Sequence, residues 1–387
     1  MVIRSLLDND QYKFTMQQAI LKLGFASVPV EYKFQCRTKN VDFSNEFRYI
    51  KESINDLSGL KLIDYEYDFL RSLRYFNSEY LQFLKNFRFD RNCISLNLDG
   101  KELDLRIRGP WFNTILFEVP ILAIISYYGN MYGNENIAKD RLEMKLRKVS
   151  GIEGFRYIDF GTRRRSSLLW HSEVIRKCRE ITPIQFVGTS NLHFALSNNI
   201  RAMGTMAHEW GQAHQQLNYR VIDSQKMAFE NWIKVYRGDL GIALSDTINT
   251  QAFLKDFDDP LFYKLFDGVR EDSEPDPINF AKHIIHFYKL RGIDPKTKTI
   301  VFSNGLNFDK AIEIYNTLHD EINVSFGIGT NLTNDFDIPA LNIVIKMVSC
   351  NHQPVAKISN SPGKGMCESP EFVNYLKSVF KVRDDNA

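Results

Sequence analysis

The pattern of apolar and polar positions changes character near residue 150. Ahead of that point, VPVEYKFQC sets Val28, Val30, Tyr32, Phe34 and Cys36 alternately against polar residues, the mark of a half-buried strand. Residues 10–23 carry Tyr12, Met16, Ala19, Ile20 and Leu23 at helical spacing, with Asp10 as cap and Gly24 as terminator. Helices are also expected over 44–57 and 66–87. CISLNLDGKELDLRIRG reads as a hairpin: Ile94, Leu96 and Leu98 are answered by Leu103, Leu105 and Ile107 around an Asp99–Gly100 turn. Strands with one apolar face need a helix layer over them, so this region is expected to be an α+β sandwich. A long helix over about 121–149 is expected to bridge to the next domain, with Trp111 and Phe112 as packing residues.

Beyond residue 155, short apolar runs are each followed by a polar junction and then a helical pattern. RYIDF leads into GTRRR, IQFV into GTSN, LGIAL into SDT, FYKLF into DGVREDS, TIVFS into NG and VSFGI into GT. GTMAHEW is read as a further strand-like run. Helices are expected at 167–179, 211–219, 224–236, 277–290 and 307–319. Repeated βα units require a parallel sheet, either a barrel or a doubly wound sheet, and in both the ligand binds at the carboxyl ends of the strands.

Those ends carry Gly161, Thr189, Ser190, Ser245, Asp246, Arg270, Asp272, Gly305, Gly327, Gly329 and Thr330. Any one of them suits a turn. Their recurrence points to a phosphate-rich ligand held by amides, hydroxyls and arginines, with the acids serving a metal or sugar hydroxyls. The junction FGTRRR is the strongest case, because it joins Arg163, Arg164 and Arg165 to a helix start with unpaired backbone N–H groups. Asp159, inside its strand, is expected to orient an arginine or simply to pair with one. His208, flanked by Ala207 and Glu209, would be a general base or a nucleophile toward a phosphoryl group if it faces the pocket.

Composition narrows the class. The chain has 387 residues, 44% of them hydrophobic and 25% charged, with a net charge of +2. That suits a globular protein with ample core and gives no general argument for nucleic acid or an anionic membrane. The five cysteines (Cys36, Cys93, Cys178, Cys350 and Cys367) are scattered and form no C-x-x-C pair, which argues for reduced thiols and against a zinc or iron–sulfur site. No apolar stretch is expected to approach the roughly 20 residues of a membrane span, and Met1–Gly24 is too polar for a signal peptide. A cytoplasmic chain is expected. SPGKGM at 361–366 lacks the first glycine of a P-loop, and GIGTNL at 327–332 misses the dinucleotide-binding spacing.

The fragments DNDQYKFTMQQA, GPWFNTILFEVPIL, DFGTRRR, GTSN, GTMAHEW, LSDT and PVAKISNSPGKGMC occur in that order over nearly the whole chain. The ordered set resembles the nicotinate phosphoribosyltransferases, type II phosphoribosyltransferases. The resemblance implies an α/β fold, an irregular α/β barrel with an accompanying α+β sandwich domain. It divides the chain into an N-terminal domain over 1–120, joined by about 345–387, and a bridging helix and barrel over 121–344. It implies transfer of phosphoribosyl from phosphoribosyl pyrophosphate to nicotinate, giving nicotinate mononucleotide and pyrophosphate, coupled to ATP hydrolysis, with Mg²⁺ accompanying the phosphates.

By the same resemblance His208 is a phosphorylated histidine, and Phe160 stacks on the pyridine ring with Tyr12 on its other side. A homodimer would lend Tyr12 across its interface. Arg163 and Arg270 serve the carboxylate and phosphates, and Asp246 and Asp272 serve ribose hydroxyls or metal-bound water. Ser190 stands where nicotinamide-using relatives carry an aspartate; an acid there suits a carboxamide donor and repels a carboxylate, whereas a hydroxyl does not. SNGLN departs from the family's acids, so Asn304 and Asn307 are assigned no contact, and Lys364 is read as a surface lysine. No magnesium ligand is singled out.

Overall fold

The structure is a computed structural model that describes residues 2–130, 133–359, 365 and 367–382. Its strands are β1 (Pro29–Cys36), β2 (Ile94–Asp99), β3 (Glu102–Pro110), β4 (Tyr157–Asp159), β5 (Phe186–Thr189), β6 (Ile242–Leu244), β7 (Gly268–Glu271), β8 (Thr299–Phe302), β9 (Asn323–Ile328), β10 (Ile343–Cys350) and β11 (Gln353–Pro354). They form two sheets, and the protein is an α/β protein.

The first sheet runs β11-β10-β1-β3-β2 and is antiparallel throughout. The hairpin has the expected register, with Ile94 opposite Ile107, Leu96 opposite Leu105 and Leu98 opposite Leu103. β10 crosses from the barrel to pair with β1, so the late chain completes the early sheet.

The second sheet, β5-β4-β9-β8-β7-β6, is parallel. β5 and β6 stand at its two ends, and the irregular segment 201–205 runs between them. Its Ala202 bridges Thr189 in parallel, the Thr189 and Met203 amides bond across that bridge, and the Thr205 hydroxyl donates to the Ile242 carbonyl at 3.2 Å. Backbone bonds thus tie this segment to β5, and one side-chain bond ties it to β6. The result is a closed but irregular barrel.

The helix Gln11–Lys22 is buried far beyond the expected apolar face. Lys13, Thr15, Gln17 and Gln18 are also enclosed, and each finds a partner, as buried polar groups must. Gln17 donates to the Phe112 carbonyl at 2.8 Å, Gln18 to the Tyr75 carbonyl at 2.7 Å and Thr15 to the Thr205 carbonyl at 2.8 Å. One helix therefore pins the sandwich to the barrel wall.

That pinning explains one departure from the sequence reading. The helix expected over 66–87 is two helices, Asp64–Ser72 and Ser78–Asn86. Gln18 captures the break from both sides, accepting from the Asn77 amide at 2.8 Å while donating to Tyr75, and Asn77 caps the second helix through the Tyr80 amide. The expected helix over 121–149 is likewise divided into Glu118–Gly129 and Glu135–Val149, with Asn134 capping the second.

The continuous helical run Trp111–Gly129 has 19 residues and a mean hydropathy of 1.3, which corrects the expectation that no stretch approaches membrane-span length. It is 67% buried in the protein and is a core element. FYKLF is helix rather than strand: Asp259 caps it, Pro260 takes the first helical position, and the strand begins only at Gly268. GTMAHEW is not a strand either, because its first half is an extended segment and His208 opens the short helix His208–Ala213.

Candidate active site

A cavity of about 250 Å³ opens at the carboxyl ends of the barrel strands and is closed on its other side by β10. Of the residues singled out in the sequence, Tyr12, Phe160, Gly161, Arg163, Ser190, His208, Arg270, Asp272, Gly305, Gly327, Gly329 and Thr330 line it. Tyr12 and Phe160 both line it within one chain.

Phe160 follows β4, and its backbone N–H bonds the Ile328 carbonyl at 2.9 Å. Its ring lies directly on Gly327: a Cβ at that glycine would come 2.3 Å from the ring's Cδ2, so only glycine leaves the aromatic in place. The Arg270 guanidinium sits 5.6 Å from the same ring. Its Nε donates to the Ser303 hydroxyl at 2.8 Å, and Ser303 bonds Asp272 at 2.9 Å. Arg270 is thus aimed by β8 as well as by its own strand. Gly305, at φ +57°, makes the left-handed turn at the cavity rim.

The arginine triplet divides into three environments. Arg163 reaches the cavity with Glu118 at 3.8 Å. Arg164 also lines it and donates to the Ile343 carbonyl at 2.9 Å. Arg165 is fully buried and forms a two-pronged pair with Asp8, both contacts at 2.6 Å. The backbone amides of the junction are used internally: Gly161 donates to Asp159 at 2.9 Å, and Ser167 caps the following helix by accepting from the Trp170 amide. Among the described residues Asp159 pairs with no arginine; its carboxylate holds His171 at 2.7 Å and the Thr189 hydroxyl at 2.6 Å.

Thr189 and Ser245 therefore do not line the cavity. The Ser245 hydroxyl donates to the Arg270 carbonyl at 2.8 Å and holds β6 to β7. Asp246 lies behind the wall. Asn307 caps the helix Phe308–Leu318, and Asn304 donates to the Glu274 carbonyl. Lys364 falls outside the described residues.

His208 is the centre of the titratable cluster. Its Nε2 lies 2.8 Å from Asp246 Oδ1, while the other oxygen of Asp246 is 2.6 Å from Lys357 Nζ. Nδ1 faces Asp272 at 3.9 Å. Burial lowers the imidazole below its ordinary value and Lys357 adds to that, outweighing the opposite pull of Asp246. Burial alone would raise Asp246, but His208 and Lys357 hold it well below the usual carboxylate range. Neutral imidazole, with Nε2–H donated to an ionised Asp246, leaves Nδ1 as the nitrogen carrying the free lone pair. Beside it, Glu209 accepts from Tyr32 at 3.0 Å and Trp111 at 3.1 Å and pairs with Lys13, which also meets Glu118 at 2.5 Å. That network fixes the short helix that carries His208.

Of the cations that line the cavity, sequence reasoning found Arg163, Arg164 and Arg270 and missed Lys346. Lys346 lines the cavity from β10, and burial with Lys357, Arg37 and Arg163 nearby brings it down to about 7. Burial and the cations Arg163 and Arg37 bring Arg164 down to about 9. A lysine inside the buried run IVIKMVSC was the available signal. Crowded, desolvated cations are stabilised when an anion arrives among them, which is the electrostatic character of a phosphate site. His208, Asp246 and Asp272 also bring their ligand atoms within 4.8 Å of one another. Asp272, bonded by Ser303 and beside Arg270, is the member of this cluster that also lines the cavity with His208.

Residues 7–126 match the nicotinate phosphoribosyltransferase N-terminal domain, and residues 155–384 match the nicotinate phosphoribosyltransferase family. The chain is 46% identical over 387 residues to a nicotinate phosphoribosyltransferase of Xanthomonas axonopodis pv. citri, covering 98% of each chain. Among solved structures it is similar to the Vibrio cholerae nicotinate phosphoribosyltransferase, with 36% identity, a TM-score of 0.95 and coverage of 99% of this chain and 95% of that one. It is also similar to the Porphyromonas gingivalis nicotinate phosphoribosyltransferase, with 34% identity, a TM-score of 0.93 and coverage of 98% and 100%. With both halves matched in order and the strand-end residues gathered around one barrel cavity, the chain belongs to the nicotinate phosphoribosyltransferase family.

Proposed function

We propose that the protein transfers phosphoribosyl from phosphoribosyl pyrophosphate to nicotinate, that ATP hydrolysis through a phosphohistidine at His208 drives the reaction, and that it does so in the cytoplasm as a step of NAD biosynthesis. The observation that carries this reading is His208 itself, with one nitrogen tied to Asp246 and the other turned into a cavity crowded with cations. The free cysteines suit a reducing compartment.

In the transfer step the pyridine nitrogen attacks the anomeric carbon, the C–O bond to pyrophosphate breaks, and positive charge develops on the ribose. The protein's task is to position the reactants and to stabilise the leaving charge. Phe160 and Tyr12 hold the pyridine ring, and Arg163, Arg164, Arg270 and Lys346 supply positive charge to the carboxylate and phosphates. Asp272 would hold Mg²⁺ brought by the phosphates, and the ion would screen the departing pyrophosphate.

In the coupling step His208 Nδ1 attacks the γ-phosphorus of ATP, the bond to the β-phosphate oxygen breaks, and ADP leaves. Asp246 keeps the Nε2 proton and steadies the charge of the phosphorylated ring. Phosphorylation places negative charge near Lys357 and beside Asp272 and so changes how the cavity holds its substrates. Hydrolysis of the phosphohistidine resets the enzyme. One chain already brings Tyr12 to the cavity, so this reading does not need a second subunit to supply it.

The test is pyrophosphate release from purified protein with Mg²⁺, phosphoribosyl pyrophosphate and either nicotinate or nicotinamide, with and without ATP. Release with nicotinate, accelerated by ATP, is expected; His208→Ala should abolish the acceleration and leave slow basal transfer. No release with either pyridine would sink the reading, and unchanged acceleration in the variant would sink the role of His208.

A further inference from the structure

Beside the pyridine-binding aromatics lies a further acid that neither the transfer step nor the coupling step uses. Asp10 is 3% exposed and lines the cavity beside Tyr12. Although it opens the helix Gln11–Lys22, its side chain caps nothing. Its Oδ1 instead lies 2.7 Å from the Ser190 hydroxyl, which is 1% exposed and lines the same cavity. The backbone holds the pair together: Asp10 bridges Asn191, and the Gln11 amide donates to the Ser190 carbonyl at 2.7 Å.

This geometry creates a conflict over specificity. If Asp10 is ionised it accepts the Ser190 proton, and Ser190 then presents only lone pairs to the cavity. Lone pairs favour a carboxamide N–H and repel a carboxylate. An ionised acid separated from the nicotinate carboxylate by a single hydroxyl would also be a like charge in a desolvated site, where one of two nearby carboxyl groups retains its proton. If Asp10 is protonated, the chain reverses: Asp10 O–H donates to Ser190 Oγ, and Ser190 O–H donates to nicotinate.

Resting on nicotinate as the substrate, we infer that Asp10 is the specificity-determining proton carrier of this site: nicotinate binds with uptake of one proton from solvent, held on Asp10 and relayed through the Ser190 hydroxyl to the substrate carboxylate. No bond to carbon or phosphorus changes in this step. Burial already raises the Asp10 carboxyl, and Asp159 adds to that, against the opposing pull of Ser190, Thr162 and Arg163. The charges facing it are thus Asp159, itself paired with His171, and Arg163, which has Glu118 nearby. A substrate carboxylate would raise it further.

The test compares kcat/KM for nicotinate between pH 6 and 9, at saturating phosphoribosyl pyrophosphate, in the wild type and Asp10→Asn. The asparagine amide donates to Ser190 at every pH. The wild type should lose selection of nicotinate with rising pH, approaching tenfold per pH unit, while Asp10→Asn should lack that component and keep kcat/KM within about tenfold of the wild type at pH 6. Both proteins carry Lys346 and His208, so the difference in slope isolates Asp10. Equal slopes, or a loss beyond about a hundredfold at pH 6 in a folded variant, would overturn the inference. Should the variant not fold, nicotinate is titrated into the wild-type protein with magnesium pyrophosphate, which cannot turn over, in two buffers of different ionisation enthalpy at pH 7.5. Uptake approaching one proton supports the relay and none refutes it. A wild type inactive with nicotinate fails the functional reading itself, a result distinct from all of these.

Discussion

Lys357 Nζ stands 2.6 Å from Asp246 Oδ2, on the carboxylate oxygen that His208 does not use. Both residues are almost fully buried, so the lysine is the counter-charge that allows Asp246 to stay ionised while it orients the histidine.

Removing that lysine therefore strands a buried carboxylate. Lys357→Met should destabilise the fold by about 3–5 kcal/mol in urea denaturation, the usual cost of breaking a buried pair from one side. Adding Asp246→Asn should recover part of the loss. Asp246 is held below its ordinary value, so its contribution is fully present above the unfolded carboxylate range and is lost only as pH falls through its folded value. In the wild type this contribution is constant between pH 5 and 8, but in Lys357→Met the stranded carboxylate and His208, no longer held down by the lysine, take up a proton more readily. The cost of the substitution should therefore shrink as pH falls across that window; a cost independent of pH would show that the pair is not ionised.

Lys346 gives the phosphate site its own pH dependence. Held down to about 7, it loses its proton near neutrality when the cavity is empty, and an arriving anion restores it. Affinity for phosphoribosyl pyrophosphate is therefore full below pH 7 and weakens as pH rises, by up to about tenfold per pH unit. Lys346→Arg should remove this dependence while retaining binding, as read by calorimetric titration between pH 6.5 and 8.5.

Acid should destabilise the barrel through His214. This side chain is fully buried, its Nδ1 donates to the Trp210 carbonyl at 2.6 Å, and its Nε2 accepts from Asn231 at 3.0 Å. Burial pushes it down to about 4. A histidine held neutral in the fold binds its proton more readily once unfolded, so stability falls as pH drops from about 6.5 toward 4. The total is about 3 kcal/mol. His214→Gln should flatten the slope of stability against pH over that interval in denaturant titrations, whatever it does to the absolute value.

Gly327→Ala tests the seat of the pyridine ring. Its Cβ would enter the Phe160 ring, and overpacking of this kind costs about 1–3 kcal/mol. Part of that cost should appear as a rise in KM for nicotinate of about tenfold, with KM for phosphoribosyl pyrophosphate nearly unchanged. Equal increases in both would mean that the ring does not act on the pyridine alone.

Where local chemistry decides structure, the chain was readable. The β2–β3 hairpin, the strand positions of β4, β8 and β9, and the strand-end location of Phe160 follow from alternation and from turn residues, whereas Arg270 reaches the cavity from within β7, where a junction is expected from the sequence. Where distant residues decide it, the chain was not. Gln18 breaks a helix more than fifty residues away by taking up its backbone groups. Asp159 looked like a partner for the arginines beside it but binds His171, twelve residues on, and Arg165 instead finds Asp8. The Asp259–Pro260 pair is a legible helix start that outweighs the strand-like apolar run behind it. Lys346 comes to the cavity, and Lys357 to Asp246 behind its wall, only because β10 and the chain after it return to the first sheet and close over the barrel mouth.

The barrel wall between β5 and β6 has a mechanical consequence. Every other neighbouring pair of strands is locked by a ladder, so adding or deleting a residue there would turn side chains to the wrong face. The segment 201–205 holds to β6 through a single hydroxyl and carries no ladder on that side. It is an expansion joint. Length can change there without shifting the register of any of the six strands, and His208 hangs three residues beyond it, anchored separately by the Glu209 network. The wall can be retailored while the histidine stays where it is.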